Sequence, residues 1–423
     1  MRLESYIVNS NDKENRLICL SDYQGRVPVL TVLDGDTLKN EGEFAYPDMQ
    51  DGFVRMSWAY VPYVTEKIVV FVPRWWVLGN HVALYDLVKE TYKYIPIEVL
   101  REPIDNPDCL KETDFWVNNL RLQRTPKFSE VYQYGGVLFC TPSSYPGILK
   151  IDLEKGNASC IDIPVQEILR LSKRYGKIES YPFGFSVRVN NKLYLTCRYA
   201  DLLVEFDMAA ETSRVILLNT KPTGNFCIQT DGENLWLFDK NTFDYSQWNL
   251  AREEISSGRC ECSPELPEIF ALSSRMSYCN GKIFFKMNGD VSLPLSLDME
   301  TCRISVADDI RQCIAQDDYL NSLWEMNGKL YFSTHNERIG AYSLASDGYY
   351  EKPLLHSKVA LDVLFKRYYG IFANRERFPM VENEILGLLE FAYGVPTQSE
   401  ETNDNVTGYG KQIYERVMKE VAE

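Results

Sequence analysis

Residues 327–344, NGKLYFSTHNERIGAYSL, contain a tight Asn-Gly turn, a short apolar strand, a polar loop and a second short strand. An Asn-Gly pair readily adopts the positive φ angles of a two-residue hairpin, and strands of this length with aromatic and β-branched residues are typical of β-sheets. Variants of the stretch recur along most of the chain. The sequence therefore predicts a series of antiparallel hairpins and an all-β fold.

The apolar strand of this stretch occurs seven times. Its first residues are Leu17, Ile68, Val137, Leu193, Leu235, Ile283 and Leu330. Successive starts lie 42 to 69 residues apart. Paired short strands that repeat roughly every 40 to 50 residues are typical of β-propeller blades.

A second mark of the repeat is a strand that ends in a large apolar residue followed by a short polar one. The seven pairs are Leu33-Asp34, Tyr85-Asp86, Ile151-Asp152, Phe206-Asp207, Trp248-Asn249, Leu297-Asp298 and Tyr342-Ser343. A carboxylate or amide at this position can accept hydrogen bonds from nearby backbone amides and close a hairpin. Because the five aspartates occupy the same place in different units, we interpret them as turn residues rather than as a metal or acid–base site.

Turn pairs precede the aligned strand in most units and imply an earlier strand. These pairs are Gly135-Gly136, Asn190-Asn191, Asp231-Gly232, Asn280-Gly281 and Asn327-Gly328. The earlier strands are predicted at residues 183–189, 226–230, 275–279 and 320–326, and a fourth strand follows the Asp turn, as at 212–218. Each unit thus supplies strands A, B, C and D of one antiparallel blade.

Over roughly residues 1–355 this pattern resembles the seven-bladed propellers of the kelch-like and WD-like type. The resemblance lies in the blade architecture, since Gly135-Gly136 falls one turn earlier than the kelch double glycine and no Gly-His…Trp-Asp pattern occurs. It implies an all-β fold of seven four-stranded antiparallel blades.

Insertions and a tail interrupt the repeat. We expect helical insertions near residues 106–123 and 165–175, a shorter one at 308–315, and a C-terminal helical extension at 356–423 with an acidic linker near 397–407. Residues 409–423 place Ile413, Val417 and Val421 on one stripe of an amphipathic helix. That helix could dock on the propeller, bind a partner or mediate self-association.

Composition excludes several classes of partner. With 45 Lys and Arg against 60 Asp and Glu, the net charge of -15 disfavours nucleic acid and anionic membranes. The N-terminus lacks a signal-like apolar segment, no apolar run could span a bilayer, and the 11 cysteines fit reduced core thiols, so a cytoplasmic location is expected. Three histidines without metal-ligand spacing, and no phosphate-binding motif, predict no metal and no cofactor.

In a propeller the D–A and B–C connections share one face, and loops there usually carry function. Several of these loops combine aromatic rings with guanidinium or imidazole groups, which suit sugars, carboxylates or peptide side chains. The candidate ligand-binding residues of this rim are Arg55, Arg74, Trp75, Trp76, Arg198, Tyr199, Arg275, His335, Glu337 and Arg338. Arg275, Trp324 and Glu325 are expected at the starts of A strands, where Trp324 could instead pack between blades.

Three functions remain open at this point. The first is a binding or scaffold propeller that recognises a protein, peptide or glycan on the D–A/B–C face. The second is a carbohydrate- or peptide-processing enzyme, resembling a glycoside hydrolase or lyase, that uses rim arginines and carboxylates. Its candidate carboxylates are Glu130, Glu325, Glu337, Asp201 and Asp290. In the third, the C-terminal helices bind the partner and the propeller is a spacer.

Overall fold

The computed structural model describes most of the propeller region of the chain. The described residues are 4–23, 27–47, 60–74, 80–98, 126–172, 183–197, 201–218, 226–239, 242–267, 271–288, 292–315, 318–335, 338–343 and 348–353. The predicted insertion at 106–123 and the predicted extension at 356–423, with its linker and terminal helix, lie outside these residues.

Seven antiparallel sheets follow one another along the chain. Blades 1 to 4 contain β1 (Glu4–Asn11), β2 (Arg16–Tyr23), β3 (Val27–Asp34), β4 (Asn40–Ala45), β5 (Tyr60–Val64), β6 (Ile68–Pro73), β7 (His81–Asp86), β8 (Thr91–Pro96), β9 (Phe128–Tyr134), β10 (Val137–Pro142), β11 (Gly147–Asp152), β12 (Asn157–Asp162), β13 (Phe183–Val189), β14 (Lys192–Cys197), β15 (Leu202–Asp207) and β16 (Thr212–Leu217). Blades 5 to 7 contain β17 (Phe226–Thr230), β18 (Asn234–Asp239), β19 (Asp244–Asn249), β20 (Glu254–Arg259), β21 (Glu261–Cys262), β22 (Ala271–Cys279), β23 (Lys282–Asn288), β24 (Pro294–Asp298), β25 (Arg303–Val306), β26 (Leu320–Met326), β27 (Lys329–Thr334), β28 (Arg338–Ser343) and β29 (Gly348–Pro353).

Each blade is a four-stranded meander, as the repeat predicts, and blade 6 adds the short β21 in parallel beside β25. The B strands begin at or within one residue of the predicted starts. Two short helices occur in the described residues, α1 (Val165–Ser172) and α2 (Asp308–Arg311), and both lie within predicted insertions. None of the described helices has the length and apolar character needed to cross a membrane.

The apolar residues form the core between neighbouring blades. The middle strands are buried along nearly their whole length, as in IVVFVP of β6, whereas the outer β8, TYKYIP, buries mainly Ile95. Strands that are buried on both faces have continuous apolar sequences, whereas strands with one solvent-exposed face alternate apolar and polar residues. The ten cysteines in the described ranges carry free thiols, and Cys19, Cys140, Cys197 and Cys227 are buried.

Blades 1 and 7 each consist of four consecutive strands, so they share no strand. Hydrogen bonds that involve side chains therefore close the ring between them. Asn321 Nδ2 donates to Ser5 O at 3.2 Å, and Ser322 Oγ accepts from Ile7 N at 2.8 Å. Tyr331, fully buried, donates to Gly35 O at 3.0 Å. Closure therefore depends on hydrogen bonds between strands β1 and β26 and on packing around Tyr331.

The turn from strand C to strand D has the same construction in six blades. Its polar residue accepts a bond of 2.8–3.0 Å from the backbone amide three residues later. These polar residues are Asp34, Asp86, Asp152, Asp207, Asn249 and Asp298. Hydrogen bonds lower the pKa of all five aspartates. The largest contribution comes from the Thr37 hydroxyl at Asp34 and from backbone amides at the other four. The predicted turn role is confirmed.

Each of these turns ends in a residue with positive φ, four positions after the polar one. They are Leu38, Glu90, Gly156, Glu211, Glu253 and Cys302, of which one is glycine. We expect Glu90→Gly, at φ 54°, to raise the free energy of unfolding by about 1 kcal/mol, because glycine adopts this conformation without the Cβ clash. Urea denaturation measures the change. Val88→Gly, two residues earlier and 79% exposed, is the matched control and should lower stability.

Candidate functional site

The innermost strands of the seven blades, β1, β5, β9, β13, β17, β22 and β26, surround a central channel. Five of them carry a register shift in their pairing with strand B. A β-bulge turns side chains away from the regular alternation. The described lining of the channel includes charged side chains, among them Glu130, Arg188 and Arg275.

Two cavities occupy this channel and share part of their lining. The outer cavity, of about 790 Å³, is bordered by the A–B turns of blades 1, 3 and 4. The inner cavity, of about 180 Å³, lies deeper between blades 3 to 7. Both are lined by Tyr132, Val187, Arg188, Trp324 and Glu325. The channel is thus accessible from the A–B/C–D face, opposite the predicted rim.

Arg275 and Trp324 form a stacked pair in the inner cavity. The guanidinium carbon of Arg275 lies 4.4 Å from the centroid of the Trp324 ring, and Nη1 donates to Val8 O at 3.2 Å. The indole Nε1 donates to Ser10 Oγ at 2.8 Å. Burial lowers the pKa of Arg275 to about 10, with Glu130 opposing the shift and Arg74 adding to it. The pair links blades 6, 7 and 1 across the channel.

Glu130 is held in place by blade 4. Its Oε2 accepts from the Ser186 amide at 2.9 Å, from the Ser186 hydroxyl and from Tyr132 Oη at 3.1 Å. Tyr132 Oη also lies 2.9 Å from Ser186 O, an alternative acceptor for its single hydrogen, and burial raises the pKa of the phenol. The Glu130 carboxylate is therefore a fixed negative charge beside the inner cavity.

Arg74 extends this charge cluster toward the D–A/B–C face. Burial lowers the pKa of its guanidinium, and Tyr46 and Glu130 favour the charged form. The same Glu130 favours the charged form of Arg275. Two of the predicted ligand-binding arginines are therefore coupled electrostatically through a carboxylate that was predicted as a catalytic candidate.

Two further carboxylates face the outer cavity. Asp12 belongs to the A–B turn of blade 1, and Glu325 is the penultimate residue of β26. Burial raises the pKa of Asp12, with Ser10 and Arg188 opposing the shift. Burial also raises the pKa of Glu325, whose Oε1 accepts from Gly328 N at 2.9 Å and which is repelled by Asp12. Burial therefore makes ionisation of both carboxyl groups costly to the fold.

The remaining wall of the outer cavity holds its shape through hydrogen bonds between blades. Tyr63 Oη donates to Gln133 Oε1 at 3.3 Å, and Asn11 Nδ2 donates to Val64 O at 2.7 Å. Arg188 donates to Gln133 O and to Asn190 O, each at 2.6 Å. These bonds fix the part of the cavity wall that blades 1 to 4 contribute.

Glu325→Gln should raise the free energy of unfolding at pH 7, because the isosteric amide keeps the bond from Gly328 and removes a partly buried charge. A carboxyl group whose pKa is raised by folding lowers the free energy of unfolding at pH values above its folded-state pKa. This destabilisation vanishes at pH values below its unfolded-state pKa, which is about 4.3 for glutamate. The difference between variant and wild type should therefore shrink as the pH falls from 7 to 4. Urea titrations at several pH values measure it. Glu300→Gln, on an exposed turn, should show no such trend.

The placement of three predicted rim residues needs correction. Because β22 begins at Ala271 and is irregular between Leu272 and Met276, Arg275 lies in mid-strand within the channel. Trp324 and Glu325 lie near the end of β26, toward the A–B/C–D face, and not at its start. Trp324 both packs against neighbouring blades and lines the channel.

His335 and Arg338 do lie on the D–A/B–C side of blade 7. The His335 ring stacks on Tyr319 with centroids 4.4 Å apart, and its amide donates to Tyr319 O at 3.0 Å. Arg338 is exposed and forms an ion pair with Glu351 of the neighbouring outer strand. Arg55, Trp75, Trp76, Arg198, Tyr199, Glu337 and Asp290 lie outside the described residues, so their role in a rim site stays a prediction.

Asp201, another catalytic candidate, is buried at the start of strand C of blade 4, where its carbonyl accepts from Leu218 N at 2.9 Å. Within the described part of the chain, no group of three His, Cys, Asp or Glu side chains could hold a metal ion. Sequence reasoning missed Asp12, Tyr132 and Arg188 as channel residues. Their only signal was polar side chains inside A strands or A–B turns.

No protein-family model matches the chain, and no curated protein matches it. Among solved structures it is similar to virginiamycin B lyase from Staphylococcus aureus, with 12% identity, a TM-score of 0.42, and coverage of 70% of this chain and 85% of that one. It is also similar to Hsv2 of Kluyveromyces lactis, with 10% identity, a TM-score of 0.46, and coverage of 82% and 97%. BamB from Moraxella catarrhalis is similar with 12% identity, a TM-score of 0.42, and coverage of 82% and 84%. The seven-bladed propeller assignment follows from the strand order of the sheets themselves.

Proposed function

We propose that this chain is a binding propeller that takes part of a protein, peptide or glycan ligand into the central channel from the A–B/C–D face. The observation that carries this proposal is the outer cavity of about 790 Å³, which has aromatic, amide and charged side chains on its walls. Preformed concave sites with a few fixed polar groups are typical of ligand pockets. Hydrogen bonds between blades hold the walls of this cavity in place.

Peptide and glycan arrays probed with the labelled protein test this proposal. We expect a restricted set of ligands whose binding is weakened in Trp324→Phe and Glu325→Gln. The matched variants are His335→Gln and Arg338→Gln on the opposite face, which should bind as wild type does. If the opposite pattern is found, the ligand occupies the D–A/B–C face that the loop composition predicts.

A second candidate function is favoured by Asp12 and Glu325. Both carboxyls line one cavity, and burial raises the pKa of each, as a general acid requires. Such a pair could cleave a glycosidic bond, one group donating a proton and the other activating water. A panel of aryl glycosides measures this activity. Turnover that is abolished by Asp12→Asn and also by Glu325→Gln would support this activity. If none of the glycosides is hydrolysed, binding remains the proposed function.

A cytoplasmic location is part of the proposal. It is supported by the free thiols of the ten described cysteines, several of them buried in the core.

A further inference from the structure

The outer cavity combines aromatic rings with carboxylates. Trp324, Tyr63 and Tyr132 contribute the rings, and Asp12 and Glu325 contribute the carboxylates. Rings attract cations through their negative faces, and carboxylates add charge and hydrogen-bond acceptors. This combination recognises an organic cation better than it recognises a neutral or anionic group.

The protein already contains one such contact. Arg275 stacks on Trp324 at 4.4 Å, so this indole is positioned to accept a guanidinium. Arg275 lines the inner cavity only, whereas Trp324 lines both cavities. Trp324 therefore borders the outer cavity together with Asp12 and Glu325.

Among the described residues, Lys13 and Arg188 are the basic members of the outer cavity lining, and both have partners within the protein. Arg188 donates to the carbonyls of Gln133 and Asn190. Lys13 has a side chain that is 77% exposed, and its Nζ lies 3.7 Å from Glu14. Arg188 also favours the ionised form of Asp12, so its positive charge partly offsets that carboxylate. Glu325 adds a second carboxylate to the cavity, and the net charge of -15 attracts cations at longer range.

We propose that the outer cavity binds a cationic side chain of the arginine or lysine type, presented by a peptide or protein ligand. The aromatic walls would contact its stem and charged head, while Asp12 and Glu325 would accept hydrogen bonds from the head. This inference rests on the channel being the ligand site.

The test uses three blocked peptides of equal length: acetyl-Gly-Arg-Gly-amide, the same peptide with citrulline, and the same peptide with glutamate. Citrulline keeps the size and most donors of arginine without its charge. Binding to the full chain is followed by NMR through the indole N–H resonance of Trp324, which Trp324→Phe assigns. We expect the arginine peptide to bind at least tenfold more tightly than citrulline, and the glutamate peptide not to bind.

Glu325→Gln and Asp12→Asn should each weaken the arginine peptide several-fold, and Glu300→Gln should have no effect. Urea denaturation confirms that the variants are folded. Equal affinity for arginine and citrulline, or preference for glutamate, would overturn the cationic ligand while leaving the channel as a binding site. Binding of none of the peptides also overturns it, and the array experiment then decides separately whether the channel binds anything.

Discussion

Gly340→Ala should destabilise the protein by about 1 to 3 kcal/mol, which is the usual cost of overpacking a core. Gly340 lies in β28 beneath the ring of Phe332, and a Cβ there would lie 2.7 Å from Cε2 and 2.8 Å from Cε1 of that ring. Phe332 is fully buried and stacks on Tyr349, so it has little room to move. The free energy of unfolding in urea measures the loss.

Gly136→Ala is the matched control for this substitution. Gly136 has no atom within 4 Å of an added Cβ, and its φ is not positive, so alanine there should be neutral or slightly stabilising. Equal effects at the two glycines would contradict the packing of blade 7 described above.

Glu130→Ala should cost about 3 kcal/mol, because it removes the acceptor for the Ser186 amide, the Ser186 hydroxyl and Tyr132. It also removes the negative charge that favours the charged forms of Arg74 and Arg275. Glu130→Gln keeps an acceptor and should lose less. Urea denaturation measures both variants.

Electrostatic coupling can be separated from hydrogen bonding with a double-mutant cycle. If Glu130 stabilises Arg275, the double variant Glu130→Gln, Arg275→Gln should be more stable than the sum of the single effects predicts. Strict additivity would show that the two groups are independent, and the charge cluster would then lose its role in organising the channel.

The repeat pattern predicted the ring well, because blade structure depends on local features. Positive φ at Asn280, Gly281, Asn327 and Gly328, and the hydrogen bonds of Asp86 and its equivalents, are encoded within a few residues. The burial of B and C strands follows from their continuous apolar runs. These features identify strands and turns without knowledge of distant contacts.

The site was harder to predict, because it depends on which strands meet across the ring. Trp324, Arg275 and Glu130 come from blades 7, 6 and 3, and no spacing in the sequence brings them together. Arg275 was predicted at the start of its strand, but the irregular pairing of β22 places it in mid-strand within the channel. The residue types of Arg74 and Arg275 indicate ligand binding, but no feature of the sequence indicates their electrostatic coupling through Glu130.

The most direct test of the channel as a binding site is a crystal structure of the protein soaked in acetyl-Gly-Arg-Gly-amide. We expect density for the arginine side chain in the outer cavity, against Trp324 and within hydrogen-bond distance of Asp12 or Glu325. Density for the peptide on the D–A/B–C loops, with none in the channel, would show that the channel is not the binding site.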